Sequence, residues 1–134
     1  SDLAEMTGPL GKRALGTRAT RDLGAAVLFT TFPEMGSNAE RAAFQEVAAC
    51  CKLTRYGMDC YAYALLAAGQ VDLVIECGLN AYDIQAPIAV IEAAGGLVTD
   101  WQGAPVHMGG RVVAAATPEL HQAALSYLKR TGSA

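Results

Sequence analysis

The segment 56–100 constrains the fold most, because the spacing of its hydrophobic residues changes twice along its length. Residues 60–68 are dense in Ala and Leu, which favours a helix, and Gly69 is placed to end that helix in the left-handed conformation. Residues 71–76 alternate and are rich in β-branched side chains, which predicts a strand. Residues 81–94 are almost wholly apolar and predict a buried helix. This order of helix, strand and helix is typical of an α/β protein.

The rest of the chain continues the alternation. Ser37 and Glu40 have the spacing of a capping box, which predicts a helix over residues 39–50. Thr117 followed by Pro118 predicts the start of a last helix. Further strands are predicted at residues 25–31, 52–56, 97–101 and 111–115.

The predicted strands are short, continuous apolar runs, which are typical of a sheet that is covered on both faces. We therefore expect a single α/β domain over residues 1–134, a layered sheet with helices on both faces. Residues 1–20 carry Gly and charge without periodicity, so we expect a loop-like lead-in there. Pro87 would kink the helix around it if that helix began well before Asp83.

The composition argues against several classes of partner. The net charge is −3 and the basic residues are scattered, so we expect no nucleic-acid partner. No apolar run approaches the roughly 20 residues that span a bilayer, so we expect a soluble protein with no membrane partner. The hydrophobic fraction of 52% is high and the charged fraction of 17% is low, which indicates apolar surface covered by a partner or by further chain.

The four cysteines, Cys50, Cys51, Cys60 and Cys77, have no Cys-x-x-Cys spacing. We expect buried free thiols in a reducing cytoplasm, with disulfides or a zinc site as the alternatives.

Three acids stand where apolar runs begin or end: Asp59, Glu76 and Asp83. In α/β sheets, functional groups gather at the carboxyl ends of strands and at the starts of the helices that follow. Carboxylates grouped there suit Mg²⁺, and a phosphate is also well placed at a helix N-terminus. The structural alternatives stay open: Asp59 as a helix cap, Asp83 as an acid favoured by the helix dipole, and Glu76 as a solvated residue at a strand end.

Other polar and aromatic residues carry weaker signals. We expect His107 and His121 to lie on the surface and Trp101 to pack in the core. Thr30 and Thr31 are expected to be ordinary buried hydroxyls at a strand end.

Two motifs carry a resemblance to a known family. Residues 82–86 read Tyr-Asp-Ile-Gln-Ala, and residues 92–96 read Glu-Ala-Ala-Gly-Gly, with Thr-Asp at 99–100. This order resembles the carboxyl-terminal signature of the inositol monophosphatase superfamily: Trp-Asp-x-Ala-Ala, an apolar run, then Glu-Ala-Gly-Gly. Within it, residues 56–66 and the Tyr-Asp variant are most similar to histidinol-phosphatases of the monophosphatase type. The resemblance covers about residues 25–128.

The resemblance implies the mixed α/β sheet of that family's carboxyl-terminal domain and a Mg²⁺-dependent phosphomonoesterase acting on a small phosphorylated metabolite. Asp83 would be a metal ligand, and the metals would activate water for attack on phosphorus. Glu76 would contact the polar body of the substrate. Gly57 would let the backbone approach the ligand, and Asp59 would pair with the cationic part of histidinol phosphate.

Two departures from the family pattern matter. Gln85 replaces an Ala, and Pro87 interrupts the following helix. The family's Glu-Glu pair and its Asp-Pro-Ile/Leu-Asp-Gly-Thr motif, which supply the other metal ligands, do not occur in this sequence. We therefore expect this chain to be the carboxyl-terminal half of a longer enzyme, inactive without its missing amino-terminal half. The resemblance also implies a homodimer, and the free thiols predict a cytoplasmic location.

Two other functions remain open. The first is an inositol or sugar monophosphatase, which shares the same chemistry. The second is a non-catalytic α/β module that binds a ligand or a partner, in which the acids only cap helices.

Overall fold

The computed structural model describes residues 5–8, 11–14, 16–17, 19–30, 37–56, 61–106 and 109–129. For residues 5–8, 11–14, 61, 78–86 and 109 it describes the backbone only.

The elements follow the predicted order closely. The strands are β1 (Glu5–Gly8), β2 (Gly11–Ala14), β3 (Val27–Thr30), β4 (Leu53–Tyr56), β5 (Leu73–Asn80), β6 (Leu97–Thr99) and β7 (Gly109–Ala115). The helices are α1 (Asn38–Cys50), α2 (Tyr61–Ala67), α3 (Ala81–Ala93) and α4 (Pro118–Leu128), with a short 3-10 turn at Leu23–Ala25.

Five strands form one mixed sheet in the order β4-β3-β5-β7-β6. Strand β3 lies parallel to β4 and to β5, whereas β7 is antiparallel to β5 and to β6. The predicted strands are confirmed, but β5 continues four residues beyond the predicted end at Glu76, to Asn80. It continues because β7 pairs with it as far as Asn80.

The prediction of a loop-like lead-in over residues 1–20 is wrong for part of that range. Strands β1 and β2 form an antiparallel hairpin with Glu5 opposite Ala14 and Gly8 opposite Gly11. These strands lack an apolar alternation, so the pairing of their backbones was not visible in the hydrophobic pattern.

Helices cover both faces of the sheet, as predicted. On one face α1 and α4 pack on a core that includes Phe44, Leu73, Trp101, Leu120 and Leu128. On the other face α2 and α3 pack on a second core that includes Tyr63, Leu66, Val74, Ile91 and Val112. Neighbouring residues of β5 belong to opposite cores because successive strand side chains point to opposite faces.

The predicted helix ends are confirmed where the structure describes them. The Ser37 hydroxyl accepts from the backbone N–H of Glu40 at 3.2 Å, and the Glu40 carboxylate accepts from the backbone N–H of Ser37 at 2.8 Å. Thr117 caps α4. Helix α3 begins at Ala81, so Pro87 lies inside it. No helix among the described residues is long and apolar enough to cross a membrane.

Candidate functional site

Strands β3, β4 and β5 run parallel, so their carboxyl ends lie at the same edge of the sheet. We call this edge the carboxyl edge; helices α1, α2 and α3 follow these strands in the chain and begin there. Thr30 pairs with Tyr56, and Phe29 pairs with Val74. Continuing this register by one step aligns Thr30 with Ile75. Glu76 is therefore the first residue of β5 beyond the ends of β3 and β4, while β7 continues to pair with β5 as far as Asn80.

Glu76 is buried, with 4% of its surface exposed, and it pairs with Val112 of β7. The alternative that Glu76 is a solvated strand-end residue is wrong, because β5 continues past it to Asn80. Strand β7 pairs with β5 on the side away from β3. The alternation of the strand puts Glu76 on the same face as Val74, the face covered by α2 and α3. A carboxylate held in such a position has little conformational freedom, which suits a residue that must orient a ligand.

Asp83 is the third residue of α3, which follows β5 without an intervening loop. Its position is therefore in the first turn of a helix that begins at the carboxyl edge, where the helix dipole favours a negative charge. Gly57 and Asp59 lie outside the described residues, immediately after β4. Their predicted roles, and the prediction that Asp59 caps α2, stay predictions.

A β-bulge interrupts the pairing of β5 with β7 directly after Glu76. Glu76 pairs with Val112, and the next pair joins Leu79 to Gly110. Two residues of β5, Cys77 and Gly78, therefore face one residue of β7, Arg111. Bulges of this kind turn a strand and redirect its side chains, and they often lie next to functional sites.

An ion pair that the sequence analysis missed lies beside this bulge. Arg111 Nε is 2.6 Å from Glu40 Oε2, and the two side chains are 20% and 16% exposed. The Arg111 guanidinium also lies over the Trp101 ring, 5.5 Å from its centroid. The backbone N–H of Ser37 and then Arg111 lower the pKa of Glu40, against the opposing effect of burial. The sequence marked Glu40 only as a cap and Arg111 only as a strand start, because the two residues are 71 positions apart.

Cys77 lies close to these charges. Burial first, and then the carboxylates of Glu40 and Glu76, raise the pKa of the Cys77 thiol to about 11, although Arg111 opposes the shift. Cys51 has a pKa raised to about 12, again chiefly by burial. Cys50, Cys51 and Cys77 form no disulfide and are half-buried rather than fully buried; Cys60 lies outside the described residues. High pKa values keep the thiols of Cys51 and Cys77 protonated at neutral pH, so neither is a reactive thiolate.

The candidate site offers part of what a magnesium ion needs. The carboxylates of Glu76 and Asp83 are the hard oxygen donors that Mg²⁺ prefers. In the described part of the chain, however, no three His, Cys, Asp or Glu residues lie close enough together to hold a metal ion. The donor chemistry fits Mg²⁺, but these residues alone do not make a complete site.

Trp101, Thr30 and His121 are all buried. Trp101 is 1% exposed and its indole N–H donates to the Val112 carbonyl at 3.1 Å, so the predicted packing role is confirmed. Thr30 is buried as predicted, whereas Thr31 and His107 lie outside the described residues. The prediction for His121 is wrong: its side chain is buried between α4 and β6, with Nε2 2.6 Å from Thr99 Oγ1.

Comparison with known proteins matches residues 15–133 to the Inositol monophosphatase family. The chloroplastic bifunctional phosphatase IMPL2 of Arabidopsis thaliana is 44% identical over 124 residues, which cover 86% of this chain and 36% of that protein. Inositol-1-monophosphatase ImpA of Mycolicibacterium smegmatis is 36% identical over 83 residues, which cover 62% of this chain and 30% of that protein.

A solved structure of an inositol monophosphatase from Zymomonas mobilis has the same fold. It superposes with a TM-score of 0.83 at 37% sequence identity, over 87% of this chain and 47% of that one. The chain thus spans less than half the length of each of these three relatives.

Proposed function

Because the chain belongs to the inositol monophosphatase family, we propose that the native protein hydrolyses a phosphate monoester and that this chain supplies part of the active site. One observation carries the proposal. The carboxyl edge brings together a buried carboxylate, Glu76, and the first turn of α3, where Asp83 stands. These are the two acids for which the sequence motifs implied a substrate contact and a metal ligand.

In this proposal Glu76 accepts hydrogen bonds from hydroxyl or ammonium groups on the alcohol part of the substrate. Its burial within the sheet fixes the carboxylate, so binding costs little ordering of the side chain. Gly57 and Asp59, which follow β4 in the sequence, would complete the wall of the substrate site.

Asp83 would hold Mg²⁺ together with ligands from outside this chain. When bound, Mg²⁺ supplies Lewis-acid activation of the attacking water and neutralises charge on the phosphate. The described residues offer too few ligands for this alone. We therefore expect phosphatase activity only when the rest of the longer protein is present.

The substrate is better assigned to the inositol or sugar phosphates than to histidinol phosphate. Two of the three relatives described above carry inositol monophosphatase names. None of the three names mentions histidinol phosphate, the substrate expected from the Tyr-Asp variant. The opposite assignment depends on Asp59, whose carboxylate would pair with the cationic part of histidinol phosphate. Asp59→Asn should therefore weaken the hydrolysis of a cationic substrate more than that of inositol phosphate.

The test is phosphate release by the longest native form of the protein, with inositol phosphate and histidinol phosphate side by side, in Mg²⁺ and in chelator. We expect Mg²⁺-dependent release that favours inositol phosphate. Asp83→Asn should reduce kcat/KM by about 100-fold or more, because even residues that only support metal ligands cost 10- to 100-fold. Glu76→Gln should raise KM about tenfold, the cost of a charge-assisted hydrogen bond.

Glu119→Gln is the matched control, because Glu119 is half exposed and lies 3.9 Å from Arg21 on the outer surface of α4. Preferential release from histidinol phosphate would reverse the substrate assignment. No release from either substrate by a folded protein would favour the non-catalytic binding module.

A further inference from the structure

We propose that Glu40 and Arg111 are positioning residues, whose ion pair holds the bulge between β5 and β7 and thereby fixes Glu76 and the start of α3. This inference rests on the proposed function for its catalytic consequence, but its structural core can be tested without any activity. The pair joins the sheet at Arg111, directly opposite the bulge.

The bulge is the point at which the register of β5 is least secure. Pairing is regular from Leu73 to Glu76 and resumes only at Leu79. Because strand side chains alternate between faces, a slip of one residue would move Glu76 from the α2 and α3 face to the opposite face. The same slip would shift the chain that leads into α3, and with it the position of Asp83.

The contacts of Arg111 converge on this point. Its backbone stands opposite Cys77 and Gly78, and its side chain is fixed by Glu40 at 2.6 Å and by the face of Trp101. The Trp101 indole N–H in turn binds the carbonyl of Val112, the residue that pairs with Glu76. Two successive residues of β7 are therefore held from the α1 and α4 side, directly across from Glu76 and the bulge.

Glu40 connects Arg111 to the first turn of α1. One carboxylate oxygen accepts from the backbone N–H of Ser37 at 2.8 Å, and the other accepts from Arg111 Nε. Arg111 is thus tied to a helix end that lies at the same carboxyl edge as the candidate site. A pair that is largely shielded from water is screened less than a surface pair. Its loss should therefore loosen the backbone of β5 and β7 beside the bulge.

The pair acts through the backbone and not by touching substrate. Val113 belongs to the core under α1 and α4, so the alternation of β7 puts Arg111 on that face. Glu76 lies on the other face, with Val74. The effect of the Glu40 and Arg111 charges on the pKa of Cys77, between them and Glu76, agrees with this close arrangement.

The experiment uses the longest native chain with four variants: Arg111→Gln, Arg111→Lys, Glu40→Gln and the double variant that combines Arg111→Gln with Glu40→Gln. Glutamine at position 40 can still complete the capping box, so this variant removes the charge on Glu40 and keeps the cap. Arg21→Gln is the control, because Arg21 makes an exposed pair with Glu119 at 3.9 Å. The readouts are amide hydrogen exchange along β5 and β7, KM, and the Mg²⁺ concentration that gives half-maximal activity.

We expect Arg111→Gln and Glu40→Gln to speed exchange at residues 76–80 and 109–112 more than at β3. Both KM and the half-saturating Mg²⁺ concentration should rise about 10- to 100-fold, since small misplacements of a site are costly. Arg111→Lys should restore part of the loss. The double variant should be little worse than either single variant, because the two residues act as one unit.

Variants that lower the melting temperature but leave KM, the Mg²⁺ requirement and the exchange pattern as in Arg21→Gln would overturn the proposal and leave the pair purely structural. If the wild-type protein releases no phosphate, the proposed function fails separately. In that case amide hydrogen exchange alone tests the positioning role of the pair. An equal increase in exchange at all strands of the sheet in Arg111→Gln would overturn the inference.

Discussion

Asp72 is a fully buried acid that joins three strands before β5 begins. Its Oδ2 accepts from the backbone N–H of Val27 at 2.8 Å. Its own N–H donates to the Val27 carbonyl at 3.1 Å, and its carbonyl accepts from Ala116 N–H at 2.9 Å. The residue therefore ties the start of β3 to the start of β5 and to the end of β7.

Replacing Asp72 by Ala should reduce the free energy of unfolding by about 1–3 kcal/mol, because the N–H of Val27 would lose its acceptor on the buried Asp72 side chain. Urea denaturation measures the change. Asp22→Ala is the control, since Asp22 is exposed and only caps a 3-10 turn, and its loss should cost about 0.5 kcal/mol. Equal losses in the two variants would contradict a special role for Asp72.

His121 Nε2 is hydrogen-bonded to Thr99 Oγ1 at 2.6 Å. The Thr99 hydroxyl also lies 2.8 Å from the Asp100 carbonyl. When that hydroxyl donates to the carbonyl, the Nε2–H tautomer of His121 donates to Thr99 Oγ1. Burial, followed by the charge of Lys129, lowers the pKa of His121 below its usual value of 6.5.

A lowered pKa means that the unfolded state binds the proton more tightly than the folded state. The stability from neutral His121 is therefore present above pH 6.5 and is lost as the pH falls from 6.5 towards the folded pKa. His121→Gln should be less stable than wild type at pH 7.5 and should lose less stability between pH 7.5 and 5.5. Urea melts at both pH values measure this, and parallel losses in both proteins would refute it.

At the scale of elements, the end of α3 depends on a close approach of two backbones. Gly95 has a φ of +104°, which suits glycine at a helix end. At Gly96, a Cβ atom would lie 2.8 Å from the Ala115 carbonyl oxygen and 2.8 Å from Ile91 Cγ2. Gly96 therefore lets α3 and the start of β6 pack directly against β7.

Gly96→Ala should lower the free energy of unfolding by about 1–3 kcal/mol, the usual cost of overpacking a tight site. Gly16→Ala is a suitable comparison because a Cβ atom there would meet nothing within 4 Å. Thermal melts of the two variants give the difference directly. A Gly96→Ala protein as stable as Gly16→Ala would show that the neighbouring strand yields easily.

The sequence predicted elements best where a local signal marks their ends. The capping box at Ser37, the Thr117-Pro118 start and the glycines after α2 and α3 all define boundaries through chemistry within a few residues. The β1 and β2 hairpin and the last four residues of β5 depend on a partner strand. Cross-strand pairing of this kind leaves no periodic signal in either strand alone.

At the scale of the whole molecule, one sheet separates two hydrophobic cores. Ile91 of α3 is fully buried in one core and Leu120 of α4 is fully buried in the other. The five strands are shared by both cores, so loss of either layer exposes the same sheet to water. The two cores should therefore unfold together.

Ile91→Ala and Leu120→Ala should each lower the free energy of unfolding by about 2–5 kcal/mol. Each variant should keep a single transition, with equal calorimetric and van't Hoff enthalpies. Scanning calorimetry with far-UV circular dichroism measures both properties. Separate melting of two layers in either variant would show that the cores are independent.

The candidate site could be predicted in part, because its acids follow strands whose carboxyl ends meet at one edge. The structure places Glu76 and the backbone of Asp83 at that edge, and the chemistry that the motifs around residues 82–96 imply for them stays a prediction. The bulge and the Glu40–Arg111 pair could not be found, since both depend on which strand lies beside β5. His121 was misplaced on the surface for the same reason: its partner, Thr99, lies on another element.

Trp101 has an optical consequence. It is the only tryptophan in the sequence, it is buried, and its ring lies against the Arg111 guanidinium beside the bulge. Indole emission responds to the charge and polarity around the ring, so its wavelength and intensity report on this one place. A chain with this arrangement carries its own unlabelled fluorophore, which can follow events at the carboxyl edge in real time.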